Sequence, residues 1–148
     1  MNTEFSNGMQ NARAFERVLI VDDEPHVLAV ARMMLESQGF VVVGSETGAG
    51  ALQLLAESIE KQQRFGVVVL DLTMPGDLSG FEVLEQIQEI APDLPVIACS
   101  GYFQEDAREL CRGIGFVDVL QKPYALEHLC ATVRRHLVRD RSPSSMPA

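Results

Sequence analysis

Residues 67–76 read VVVLDLTMPG. Four apolar residues, three of them β-branched, run straight into an aspartate, and a short turn follows that proline and glycine close. A short run that is apolar at every position is the signature of a strand covered on both faces, and strands of that kind belong to parallel sheets flanked by helices. The pattern repeats outward in both directions. Further strands are predicted over residues 18–21, 40–44, 96–99 and 116–120, besides 67–70. Between them, apolar residues recur three and four apart, as on the buried side of a helix. In the first such stretch these are Val27, Val30, Ala31, Met34 and Leu35, stopped by Gly39. The others cover residues 49–62, 81–90, 105–112 and 126–138. The resulting order, βαβαβαβαβα, predicts an α/β domain built on a five-stranded parallel sheet.

Composition limits what such a domain can do. The chain has 148 residues, 47% hydrophobic and 22% charged, enough for one core and one domain. The folded unit is expected over residues 17–139, between disordered ends at 1–16 and 140–148 that are poor in apolar residues and rich in Ser, Asn and Pro. After Lys122 the remaining chain is enough for one helix and a tail, so no output domain is expected. No stretch approaches the roughly 18 apolar residues of a membrane span, and the start MNTEFSNGMQNARAFER lacks the apolar run of a signal peptide. The reading is a soluble, cytoplasmic protein without membrane insertion. Cys99, Cys111 and Cys130 have neither even number nor Cys-x-x-Cys spacing, which predicts reduced, structural thiols. A formal charge of −9 repels phosphate backbones, so direct nucleic-acid binding is not expected.

In an open parallel sheet the ligand site lies at the carboxyl ends of the strands. Strand one ends in Asp22, Asp23 and Glu24, strand three in Asp71, strand four in Ser100, and strand five in Lys122 followed by Pro123. An Asp or Ser after a strand is often only a helix cap. Caps explain neither the lysine nor the paired aspartates. If these strands are neighbours, three carboxylates, a hydroxyl and an ammonium meet in one crevice. Carboxylates roughly 5 Å apart repel by about 3 kcal/mol per pair at an effective dielectric near 20, so cations must sit among them. Lys122 is one. A divalent ion is the other, and oxygen-only ligands select Mg²⁺ over zinc. Asp71, on the middle strand, is then free to act as a nucleophile toward phosphorus. Mg²⁺ and Lys122 would neutralise the phosphoryl oxygens, and Ser100 would donate to one of them.

The motifs VLIVDDEP (18–25), VVVLDLTMPG (67–76), PVIACSGY (95–102) and LQKPY (120–124), in that order, resemble the receiver domains of two-component response regulators. The resemblance implies a flavodoxin-like, doubly wound fold with strand order 2-1-3-4-5. It implies that Asp71 is the phosphoacceptor and that Asp23 binds Mg²⁺ directly and Asp22 through water. The backbone carbonyl of Thr73 is implied as a further metal ligand, Ser100 as the switch hydroxyl and Lys122 as the phosphate-binding ammonium. A cis Lys122–Pro123 bond is implied as well. The implied partners are a histidine kinase or histidine phosphotransfer protein as donor and a downstream effector protein as receiver of the signal.

Three features depart from the usual family pattern. The loop PGDLSG after Asp71 is one residue longer, as in receivers of hybrid sensor kinases. Val119 stands where the family usually has an aromatic switch residue, and Ser100 stands where threonine is commoner, followed by an unshielding Gly101. Without an aromatic ring, the signal is expected to pass through Tyr102, Phe103 and the start of the fourth helix. Two other readings compete. A haloacid-dehalogenase-type phosphatase also uses a strand-end Asp nucleophile with Mg²⁺, Ser or Thr, and Lys, but needs Asp-x-Asp where Thr73 stands. A pseudo-receiver used only for docking would not need every acidic, hydroxyl and lysine position filled. His26, His128 and His136 read as surface or packing residues, TGAGA (47–51) fails as a dinucleotide loop, and the basic run Arg134, Arg135, His136, Arg139 and Arg141 reads as a solvated helix end.

Overall fold

The computed structural model describes residues 16–76, 78–103 and 106–138. The chain alternates between strands and helices: β1 (Arg17–Val21), α1 (Pro25–Glu36), β2 (Val41–Ser45), α2 (Gly48–Glu60), β3 (Val67–Asp71), α3 (Gly80–Ile90), β4 (Val96–Ser100), α4 (Ala107–Ile114), β5 (Asp118–Gln121) and α5 (Leu126–His136). All neighbouring strands pair in parallel, in the order β2-β1-β3-β4-β5. The flavodoxin-like expectation therefore holds. The expected disordered ends lie outside the described residues, apart from Glu16.

Alternation along each strand divides the core into two layers. Val18 and Ile20 of β1, with Val67 and Val69 of β3, face Ala31 and Leu35 of α1 and Leu129 and Val133 of α5. Leu19, Val21, Val68 and Leu70 face the other way, onto Leu55 of α2, Leu84 and Ile87 of α3, and Cys111 of α4. Strand order reverses between β1 and β3, which opens a crevice at their carboxyl ends.

Local chemistry sets the element ends. Pro25 opens α1, where its missing N–H costs nothing, and Gly39 completes the turn after it at φ +94°. Thr47 caps α2 by accepting from Gly50 N. Ser79 and Glu82 form a reciprocal capping box at α3, worth about 1 kcal/mol. Most element boundaries shift by one or two residues from expectation. The second strand begins and ends one residue later than 40–44, and the fourth helix covers Ala107–Ile114 where 105–112 was expected, residue 105 lying outside the described residues. The fifth strand begins only at Asp118; Phe116, just before it, lies in the core, edge-on to Phe81. The last helix stops at His136, where the backbone turns extended and Val138 N donates to Gly66 O. Among the described residues no helix is long and apolar enough to cross a membrane. Cys99, Cys111 and Cys130 are buried free thiols.

Candidate functional site

Backbone ladders carry the polar residues into one crevice. Asp22 N donates to Ser45 O, Leu72 N to Cys99 O, and Lys122 N to Ser100 O, so each strand end is pinned to its neighbour just where the chemistry begins. Asp22, Asp71 and Ser100 are buried, and Asp23 is half-buried. Carboxylate oxygens of Asp22, Asp23 and Asp71 lie within 4.8 Å of one another. Lys122 Nζ reaches across the sheet to Asp22 Oδ2 at 2.9 Å, Asp71 Oδ2 at 3.2 Å and Glu24 Oε1 at 3.2 Å. The Lys122–Pro123 peptide is cis.

The crevice perturbs its charges in opposite directions. Burial pushes the Asp22 carboxyl up, and the like charge of Asp71 adds to this, against hydrogen bonds from Glu24 N and Lys122. Burial on its own pushes the Lys122 ammonium down, but Asp22 and Asp71 outweigh it and hold Lys122 above the ordinary lysine range. Lysine is thus locked in its charged form between two buried acids. Cys99, the register partner of Asp71, is pushed up to about 12 by burial and is an inert thiol at neutral pH.

Each residue singled out in the sequence has a definite place. Asp22, Asp23, Asp71 and Lys122 come together. Ser100 ends the neighbouring strand β4, but its hydroxyl donates to Tyr102 O at 3.3 Å and accepts from Tyr102 N at 3.1 Å, so it is folded into its own loop. Thr73, named in the sequence reading only for its backbone carbonyl, also hydrogen-bonds Asp71. Asp71 Oδ1 accepts from both Thr73 N at 3.0 Å and Thr73 Oγ1 at 2.8 Å. Val119 is buried in β5, opposite Ala98.

Two polar partners were missed. Glu24 holds Lys122, a role that the acidic triplet 22–24 alone does not distinguish from solvent exposure. Asp118, 1% exposed, accepts from Arg108 of α4, Arg135 and His136 of α5, and Val119 N. The signal was available: a charged residue inside the apolar run FVDVL needs partners. Arg135 and His136 are therefore not simply a solvated helix end.

The oxygen-only donor set of Asp22, Asp23 and Asp71 fits a hard divalent cation, as the sequence implied. Such an acidic pocket, this fold and this lysine define a receiver domain. The chain belongs to the response regulator receiver domain family, which it matches over residues 18–134. It is 36% identical over 131 residues to the response regulator MprA of Mycobacterium sp. (strain KMS), a match covering 88% of this chain and 54% of that protein. The chain thus spans about half the length of this and other curated response regulators that it matches. A receiver domain from Clostridium thermocellum superimposes with a TM-score of 0.71 at 28% identity, covering 81% of this chain and 92% of that one. The chemotaxis protein CheY4 of Vibrio cholerae gives 0.72 at 25% identity, covering 84% and 100%.

Proposed function

We propose that Asp71 accepts a phosphoryl group from a phosphohistidine of a histidine kinase or histidine phosphotransfer protein, and that the resulting change of shape is read by a downstream effector protein. The observation that carries this reading is the meeting of three carboxylates and Lys122 at the carboxyl ends of β1, β3 and β5. Asp71 is the acid on the central strand, with Lys122 on one of its oxygens. Asp22, Asp23, Asp71 and the Thr73 carbonyl would hold Mg²⁺, which supplies charge neutralisation on the phosphoryl oxygens when bound. Lys122 neutralises a second oxygen and lies within reach of the acceptor without a change of strand position. Ser100 supplies a neutral donor once its hydroxyl turns away from Tyr102. In the transfer, a lone pair of Asp71 attacks phosphorus in line with the departing histidine nitrogen, which keeps the electron pair of the broken bond.

Residues 17–139 are read as this one module, acting in cytoplasmic signalling. It is a substrate of phosphotransfer and not a turnover enzyme. Threonine at position 73, in place of a second aspartate, argues against a phosphatase of the haloacid-dehalogenase type.

The test is incubation with acetyl phosphate and Mg²⁺, read by intact mass. Wild-type protein should gain one phosphoryl group and Asp71→Asn none. Equal labelling of the variant would overturn the assignment, and turnover of a small phosphate ester would favour the enzyme reading.

A further inference from the structure

Helix α4 is fastened along one side only. Arg108 reaches Asp118 of β5, and about 200° further round the helix come Leu110 and, one turn on, Ile114. That side turns away from the ion pair and toward α3, which packs on the same layer of the core. The two helices meet at the end of α4, where a Cβ on Gly115 would run into the Gln88 side chain. Phe116, 2% exposed, forms the floor there, its ring edge-on to Phe81 of α3 at 6.1 Å between centroids. Around that floor Phe81, Leu110 and Ile114 are 46%, 57% and 51% exposed. The borders are acidic. Glu85 lies one turn after Phe81 and Asp106 one turn before Leu110, with Glu109 beside it, all three exposed. Among the described residues none of these carboxylates pairs with a cation. The cations of α4, Arg108 and Arg112, share its other side, four residues apart.

We propose that the trough between α3 and α4 docks a basic amphipathic helix of a partner protein, whose apolar side covers Phe81, Leu110 and Ile114 and whose Lys and Arg flanks meet Glu85, Asp106 and Glu109. Exposed apolar residues gathered in one place and rimmed by polar ones mark an interaction site. Leu110 and Ile114 repeat at one helical turn, the spacing that anchors three and four apart on a second helix match. The acidic borders select the sign of the partner. They attract cationic flanks and repel nucleic acid and anionic lipid alike. The side of α4 toward β5 and α5 offers no equivalent, because its cation is bound to Asp118. The surface is separate from the crevice of Asp71, and the inference does not rest on the phosphoacceptor reading.

The test titrates the full chain, without Mg²⁺ or phosphodonor, with a helical peptide of Leu, Ala and Lys about 18 residues long, its leucines three and four apart. A scrambled peptide of the same composition and a copy with Glu in place of Lys are the controls. Amide shifts should move in residues 81–89 and 107–116, and the affinity should fall as salt rises. The scrambled peptide should bind at least about tenfold more weakly, as should the amphipathic one to the double variant Leu110→Gln, Ile114→Gln. Both side chains are more than half exposed, so that variant should keep its melting temperature. A second double variant, Glu85→Lys with Glu109→Lys, should prefer the Glu peptide, which separates recognition from folding. Four results would overturn the inference: no saturation by about 1 mM peptide, equal binding of the scrambled peptide, shifts centred on Val30 and Met33 of α1, or a dimer of this chain that Leu110→Gln with Ile114→Gln dissolves. The last would assign the trough to a second copy. None of these results bears on the labelling of Asp71.

Discussion

Lys122 faces three carboxylates with a side chain that is 13% exposed, so it neutralises charge that solvent cannot. Replacing it with methionine keeps the length and removes the charge. Asp22 and Asp71 would then be buried without their cation and close to Asp23. Lys122→Met should cost about 3–5 kcal/mol of stability, the range for breaking a buried ion pair from one side. Urea denaturation checks this, with an unchanged slope marking a true stability loss. Millimolar Mg²⁺ should restore part of the loss, because a cation that binds only the folded crevice is linked to folding. No restoration would argue against a metal at Asp22, Asp23 and Asp71. That Asp22, Asp23, Asp71 and Lys122 meet at one end of the sheet was legible in the sequence, since each lies at or just past the end of an apolar run. The hydroxyl of Thr73 and the carboxylate of Glu24 were not. Both lie in loops, where no periodicity fixes the direction of a side chain.

Helix α4 is the least anchored of the five. Among its residues only Cys111 is buried, and Leu110 and Ile114 are more than half exposed. What ties it down besides Cys111 is the ion pair from Arg108 to Asp118, a carboxylate that also binds Arg135 and His136 at the end of α5. One buried acid in β5 thus clamps two helices. Burial opposes ionisation of Asp118, but His136, the Val119 N–H and Arg108 outweigh it and hold its carboxyl below the ordinary value of 3.8. A carboxyl depressed on folding contributes stability that is fully present above its unfolded value and is lost as pH falls through its folded one. Acid should therefore loosen α4 as pH falls below about 4, the ordinary carboxylate value. Asp118→Asn should remove that acid-dependent component and lower stability by about 1.5–3 kcal/mol at neutral pH, the scale of hydrogen bonds to charged groups. Amide hydrogen exchange in residues 107–114 should accelerate more than in β3, and equal acceleration everywhere would refute the clamp. The helix itself was legible from spacing, but with its start two residues too early. Its attachment was not legible, because Asp118, Arg108 and Arg135 are joined only by the tertiary fold.

Across the whole molecule the sheet separates a chemical end from the faces that a partner can read. The proposed phosphoryl site opens at the carboxyl ends of the strands, and Ser100 joins it to the segment that follows β4. That link is a pair of hydrogen bonds between Ser100 Oγ and the backbone of Tyr102. Tyr102 is 76% exposed, whereas Phe103 packs against the layer of α2, α3 and α4. A phosphoryl group on Asp71 brings close to two negative charges and strong acceptors. A hydroxyl that turns toward them must release Tyr102, and the loop then re-forms around Phe103 and the weakly held α4. Val119 is buried and apolar, with no polar tip to carry the change to the surface. The expected switch is a two-state loop instead of a ring flip. With Mg²⁺ and beryllofluoride as phosphoryl mimic, Ser100→Ala should still bind the mimic but lose most of the amide shift changes in residues 101–103 and 107–114. Val119→Ala should keep them, although it is less stable by about 2 kcal/mol through the cavity that it leaves. The opposite result, a response lost with Val119 and preserved without the Ser100 hydroxyl, would place the switch in β5 and refute the route through Tyr102.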